Sequence, residues 1–327
     1  MPIVLAIVFL LVGFVLLIKG ADFFVDGASS IARKLKVPSL IIGLTVVSMG
    51  TSAPEAAVSI TSGIQAITQN NPTINSISLG NVIGSNIFNF LMVVGISSVI
   101  LPIVTDNDIL KRDMPINLGI TGILGVLLVD GKLSRIEAAI LLLCFAAYIF
   151  ILIRSALKNR TEAEELKVYT WAKSIIFLVV GLAAVIGGGQ LVVNGAKTIA
   201  AELGMSQTLI GLTVVAIGTS LPELVTSVIA AKKGDSGIAM GNVVGSNIFN
   251  ILFILGLAGT IAPMSLEATA AKEFLIDASI LIGISIMMWL FAFTKKKTNR
   301  IEGSACILVY VAYTAYIIMR AYHVWIF

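Results

Sequence analysis

The sequence predicts an all-α polytopic membrane protein of ten transmembrane helices, arranged as two inverted five-helix repeats. Three observations carry that prediction. Of 327 residues 57% are apolar and 12% charged, with mean hydropathy +1.02, whereas soluble domains run near ~25% charged. Apolar runs long enough to cross a bilayer recur along the whole chain. Two stretches that carry polar residues also occur twice. GLTVVSMGTSAPEAAVSI at 43–60 returns as GLTVVAIGTSLPELVTSV at 211–228, with eleven of eighteen residues identical. GNVIGSNIFN at 80–89 returns as GNVVGSNIFN at 241–250, with nine of ten identical. The offsets, 168 and 161 residues, make the chain two related halves.

Apolar windows bounded by charge or by Pro, Asn and Gly clusters place the first five helices at 3–31, 39–66, 78–101, 114–130 and 134–155. The second five fall at 171–200, 207–231, 238–262, 274–293 and 302–325. This gives a first half over 1–155, a linker over 156–170 containing KNRTEAEELK, and a second half over 171–327. The apolar start lacks a basic leader and a small-residue cleavage site, so it reads as a retained first helix. Cys144 and Cys306 lie in apolar segments without metal-ligand spacing and read as core packing.

Orientation follows from the basic residues. Sixteen of the 22 Lys and Arg fall in the loops after helices 1, 3, 5, 7 and 9, and five on the opposite side. The richer side reads as cytoplasmic, which places the protein in the plasma (inner) membrane with both termini extracytoplasmic. Five spans per half reverse the entry side of the second half, so the repeats are inverted, a common transporter architecture. The net charge of +4 sits in interhelical loops, which membrane placement explains without nucleic acid. No protein partner is implied; membrane lipid and transported ions are.

An ionisable residue inside a span marks a functional site by default, because the bilayer core penalises charge. Glu55 and Glu223 occupy equivalent places, each directly after a proline. Pro54 and Pro222 have no N–H for the carbonyls of Gly50 and Gly218, so each helix kinks or breaks there. Thr51 and Ser52 share a helical face with Glu55, as Thr219 and Ser220 do with Glu223. Asn81, Ser85 and Asn89 form an i,i+4 row on the third helix, repeated by Asn242, Ser246 and Asn250 on the eighth. Gly80, Gly84, Gly241 and Gly245 read as close-packing positions. The ligand set is all hard oxygen, which favours Ca²⁺ or Na⁺ over zinc or copper. Two facing glutamates match one divalent ion or several monovalent ones.

Other polar features read as structural. Lys19, Asp22 and Asp26 share a face of the first helix, matched by Gln190 and Asn194, and suggest pairing near the membrane surface. The glycine run 187–189 has no phosphate-loop context. Asn159 opens a glycosylation pattern on the wrong side for use, and His323 reads as interfacial.

At these residues the chain resembles the cation/Ca²⁺ exchanger superfamily, closest to the short prokaryotic sodium/calcium exchangers with two inverted repeats. The paired GTS-x-PE and G-x-x-x-GSN motifs carry the resemblance across the whole chain. It implies a secondary antiporter in which Na⁺ drives Ca²⁺ outward, usually three Na⁺ per Ca²⁺, without an organic cofactor. By position, Glu55 and Glu223 are then the principal Ca²⁺ ligands. Thr51, Ser52, Thr219 and Ser220 supply further oxygens. Ser85 and Ser246 complete flanking Na⁺ sites with the carbonyls of Ser48 and Ala216, and Asn89 and Asn250 face the centre. Many relatives, notably the potassium-dependent branch, have aspartate where this chain has Asn250, which speaks against potassium coupling. The competing readings are an H⁺/Ca²⁺ or other divalent antiporter, an intramembrane enzyme using the glutamates as acid and base, and a channel. The enzyme reading lacks a nucleophile–His pair.

Overall fold

The computed structural model describes residues 2–159, 169–205 and 216–321. In the first half, helix α1 (Ile3–Leu35) precedes α2 (Ser39–Thr51) and α3 (Ala53–Thr68), which meet at a 50° bend. Helix α4 (Pro72–Ile100), strand β1 (Ile103–Val104) and α5 (Met114–Leu127) follow. Strand β2 (Lys132–Leu133) and α6 (Arg135–Lys158) close this half. The second half runs through α7 (Trp171–Glu202), α8 (Ala216–Thr219), α9 (Leu221–Lys232) and α10 (Ser236–Ile261). It continues with β3 (Met264–Ser265), α11 (Ala268–Lys295), β4 (Lys297–Thr298) and α12 (Arg300–Ala321).

Among the described residues, seven helices are long and apolar enough to cross a membrane, or eight if α2 and α3 form one span. The architecture is helical apart from two antiparallel two-residue ladders. In one, Ile103 pairs with Thr298; in the other, Lys132 pairs with Ser265. Each ladder joins the segment after one half's central helix to the α-hairpin connection of the other half.

Burial grades the helices. In α4 and α10, 72% and 78% of the most apolar window is buried, against 22% in α1 and in α6. The first pair forms the core, and the second leaves most of its surface to lipid. Cys306 is buried as expected, but Cys144 lies exposed on α6, because α6 is apolar nearly all round and only one side faces protein.

Glycines seven residues apart join α1 to α7. A Cβ on Gly13 would lie 2.8 Å from the Gly188 carbonyl oxygen, and one on Gly181 2.8 Å from that of Gly20. Numbers rise along one helix as they fall along the other, so the two run antiparallel. Apolar side chains gain little by leaving lipid for protein, so backbone contact allowed by small residues holds such a pair. Gly13, Gly20 and Gly27 correspond to Gly181, Gly188 and Gly195 at the 168-residue offset.

Helical backbone before Met114 starts earlier than expected, with a π-helical turn over Ile109–Asp113. Arg112 sits within that turn instead of in a loop. It donates to both carboxylate oxygens of buried Asp113 at 2.9 Å, to Asp108 at 3.3 Å and to the Ser155 hydroxyl. Those partners allow the charge to sit on a helix. Equivalent Asp277 in α11 is held by Arg320 of α12 at 3.0 and 2.9 Å. Asp22 and Asp26 are paired as expected near the surface, with Lys233 (2.7 and 2.6 Å) and not with Lys19. His323 and residues 160–168 of the expected linker lie outside the described residues, as do 206–215 at the start of the expected seventh helix.

Candidate cation site

The site begins with two interruptions. At Ser52 the backbone leaves helical geometry (φ −81°, ψ 10°) and a new helix starts with Pro54 in its first turn. Ser220 does the same (φ −93°, ψ 9°) before Pro222. Proline is comfortable at a helix start, where its missing N–H is needed least. Each break therefore puts a glutamate in the first turn of the new helix, Glu55 in α3 and Glu223 in α9. The backbone dipoles at a helix N-terminus favour a carboxylate there. Both glutamates are almost fully buried, at 0% and 1% exposure.

The serine at each break serves the other half. Ser52 Oγ donates to Glu223 Oε1 at 2.9 Å, and Ser220 Oγ donates to Glu55 Oε1 at 3.1 Å. Ser85 Oγ also donates to Glu55 Oε1, at 3.2 Å. Thr51 Oγ1 crosses to Asn242 Oδ1 at 2.9 Å. Two asparagines hold the glutamate main chains. Asn81 Nδ2 donates to the Glu55 carbonyl at 3.0 Å and to Ser59 Oγ at 3.1 Å; Asn242 Nδ2 donates to the Glu223 carbonyl at 3.3 Å and to Ser227 Oγ at 2.9 Å.

Between α4 and α10 an amide quartet closes the centre. Asn86 and Asn247 each donate to the other's main-chain carbonyl, at 3.1 and 3.3 Å. Asn89 Nδ2 donates to Asn247 Oδ1, and Asn250 Nδ2 to Asn86 Oδ1, both at 3.0 Å. Asn89 and Asn250 each open a π-helical turn, Asn89–Val93 and Asn250–Leu255. Such turns break the regular carbonyl register and recur at functional sites. Ser246 Oγ reaches the Ser48 carbonyl at 3.5 Å, which also accepts the Ser52 N–H at 3.0 Å. Thr219 ends α8 beside the break and Ala216 begins it.

Four buried oxygens in this arrangement accept no hydrogen bond among the described residues: Oε2 of Glu55, Oε2 of Glu223, Oδ1 of Asn89 and Oδ1 of Asn250. They come as two symmetric pairs. Neither glutamate has a basic partner among the described ion pairs. A buried carboxylate without a cationic partner costs several kcal/mol, and an unsatisfied amide oxygen costs less but in the same direction. A desolvated cation with oxygen preference removes both costs at once.

Asn86 and Asn247 were not among the expected site residues. The repeated GSN triplet contains both, but only the i,i+4 row through Asn81, Ser85 and Asn89 suggested a polar face. That row divides in the fold: Asn81 braces the Glu55 backbone, Ser85 meets its carboxylate, and Asn89 joins the quartet. Gly241 and Gly245 serve as close-packing positions, where a Cβ would lie 2.8 Å from the carbonyl oxygens of Leu40 and Leu44 respectively. Gly80 and Gly84 meet no such backbone among the described residues.

The model for the sodium/calcium exchanger protein family matches residues 5–154 and 173–319. The chain is 39% identical over 320 residues to the putative antiporter CaxA of Alkalimonas amylolytica, covering 94% of this chain and 97% of that one. It is 36% identical to the sodium/calcium exchanger MaX1 of Methanosarcina acetivorans, covering 93% and 96% respectively. A solved structure of the sodium-calcium exchanger NCX_Mj superposes with a TM-score of 0.81 at 34% identity, over 96% of this chain and 99% of that one.

Proposed function

The chain belongs to the sodium/calcium exchanger protein family, a family of transporters and not enzymes, and from that premise we propose that it exchanges Na⁺ for Ca²⁺ by alternating access. The observation that carries this reading is the set of four partnerless buried oxygens, two from carboxylates and two from amides. Ca²⁺ would take Oε2 of Glu55 and Glu223 as its charged ligands, with Asn89 and Asn250 at the centre. Thr51, Ser52, Thr219 and Ser220 supply further oxygens. The flanking Na⁺ positions use Ser85 and Ser246 with the carbonyls of Ser48 and Ala216. Hard oxygens alone suit both ions, and two carboxylates balance one divalent ion.

The surrounding architecture in this reading is ten spans in two inverted repeats. The cross-bonding of Ser52 and Ser220, the reciprocal quartet and the two exchanged β-ladders support a twofold relation between halves. The basic-residue imbalance supports a cytoplasmic linker, extracytoplasmic termini and residence in the inner membrane. The deciding measurement is radiolabelled Ca²⁺ uptake into proteoliposomes under imposed Na⁺, K⁺ or H⁺ gradients. Uptake driven by Na⁺ alone supports the proposal; uptake driven by H⁺ and indifferent to Na⁺ makes the protein an H⁺/Ca²⁺ antiporter instead. Current that flows without a counter-ion gradient makes it a channel.

A further inference from the structure

The amide quartet between α4 and α10 has a direction, and two main-chain carbonyls set it. A carbonyl oxygen can only accept. The Asn247 carbonyl therefore fixes Nδ2 of Asn86 toward itself at 3.1 Å, and the Asn86 carbonyl fixes Nδ2 of Asn247 at 3.3 Å. Each of these side chains then has Oδ1, an acceptor, left for its other neighbour. Asn250 meets Asn86 Oδ1 and Asn89 meets Asn247 Oδ1, both at 3.0 Å, so each must present Nδ2 there. Their own oxygens lie on the other side of the amide, and these are the two amide oxygens that accept no hydrogen bond among the described residues of the site. All four side chains are at most 1% exposed, so bulk solvent cannot substitute for a lost bond.

An asparagine amide has an oxygen end and a nitrogen end of nearly the same shape, and only the oxygen end can hold a cation. Turned the other way, Asn89 or Asn250 would aim N–H bonds at the place where the ion belongs. We propose that Asn86 and Asn247 are positioning residues that lock the amides of Asn250 and Asn89 oxygen-first toward the cation. This role rests on the exchange reading for where the ion sits, and on the four hydrogen bonds for the orientation. A purely structural role would be different: the reciprocal carbonyl bonds of Asn86 and Asn247 would only tie α4 to α10.

Ca²⁺ binding to the detergent-purified protein, measured by isothermal titration calorimetry, separates the two roles. Asn86→Ala alone should weaken binding roughly tenfold, the scale of one hydrogen bond to a charged group. An aspartate at 250 offers an oxygen either way round and has no N–H to orient. In an Asn250→Asp background Asn86→Ala should therefore cost nothing, because it removes an acceptor that faced another acceptor. In an Asn89→Asp background it should cost as much as in the wild type, since Asn247 orients Asn89. The mirror cycle, Asn247→Ala with Asn89→Asp and with Asn250→Asp, repeats the test should Asn86→Ala not fold; melting temperature without Ca²⁺ checks folding of each variant. An equal cost in all three backgrounds, or no cost in any, overturns the positioning role and leaves the exchange reading standing. A wild type that binds no Ca²⁺ overturns both. Which counter-ion drives transport does not enter the measurement.

Discussion

Ser52 donates its hydroxyl to the carboxylate of Glu223 at 2.9 Å, although 171 positions separate them in the chain. Ser220 returns the bond to Glu55 at 3.1 Å. Each helix break thus completes the other half's carboxylate, and neither half holds a finished site alone. A symmetric pair of this kind suits a site reached in turn from two sides, because the same contacts serve either exit.

The glutamates themselves come first. Glu55→Gln and Glu223→Gln should each nearly abolish Ca²⁺ exchange in reconstituted protein while leaving it folded. Each leaves a divalent ion with half its counter-charge in a dry site, a loss on the scale of ~3–5 kcal/mol for a broken buried pair. Size-exclusion behaviour and thermal stability check folding; near-normal flux in either variant removes that residue from the ligand set.

Ser52→Ala and Ser220→Ala should weaken half-saturation for Ca²⁺ by similar factors, roughly tenfold to a hundredfold, since hydrogen bonds to charged groups contribute about 1.5–3 kcal/mol. The pairing itself is tested by a double-mutant cycle. Ser52→Ala combined with Glu223→Gln should be less than additive, and Ser52→Ala combined with Glu55→Gln closer to additive. The reverse pattern contradicts the crossed contacts.

Close packing of α1 on α7 makes a sharp contrast between neighbours. A Cβ on Gly188 would lie 2.7 Å from the Gly13 carbonyl oxygen, whereas one on Gly187 meets nothing within 4 Å among the described residues. Gly188→Ala should lower the melting temperature in detergent clearly. Gly187→Ala should leave it unchanged or raise it slightly, because alanine is the better helix former by about 1 kcal/mol. Equal effects would mean that the α1–α7 contact is not tight in solution.

Leu35 ends α1 and Leu203 directly follows α7; they stand 168 residues apart and are 47% and 76% exposed. In a background lacking Cys144 and Cys306, Leu35→Cys should react with a membrane-impermeant reagent from the cytoplasmic side and Leu203→Cys from the other. Labelling of both from one side refutes inverted repeats.

Sequence alone exposed the glutamates, because a carboxylate beside proline in an apolar stretch is conspicuous and its repetition at a fixed offset is more so. The hydroxyls of Ser52, Ser85 and Ser220 followed from helical spacing. Crossing between halves did not, since spacing orders residues along one helix and says nothing of which helix lies opposite. Asn86 was missed for the same reason: its partner is Asn247, visible only once α4 faces α10. The heptad glycines of α1 and α7 were legible in principle, yet a small residue carries no charge to draw notice. The π-helical turn at Ile109 depends on Arg112 finding Asp113 and Ser155, and apolar windows do not register that.

Asn250 is the position at which potassium coupling can be tested. Its Nδ2 is committed to Asn86 Oδ1 at 3.0 Å, and its own Oδ1 stays without a hydrogen bond. Asn89 has the same arrangement toward Asn247. The centre thus offers two neutral oxygens beside the two glutamates, and only the glutamates bring charge. Three Na⁺ exchanged for one Ca²⁺ would move one net positive charge per cycle, so flux should respond to voltage. Co-transport of K⁺ adds positive charge that two carboxylates do not balance. Exchange should therefore proceed without K⁺ on either side of the membrane. Asn250→Asp replaces the donor to Asn86 by an acceptor and sets a third carboxylate in the same buried space. Like charges at that distance disfavour full ionisation, so the variant should become pH-sensitive or recruit a further cation. Na⁺-driven Ca²⁺ flux into proteoliposomes, measured with and without K⁺ and across a pH series for wild type and Asn250→Asp, checks both. A strict K⁺ requirement in the wild type would mean that an amide at this position does not exclude potassium coupling.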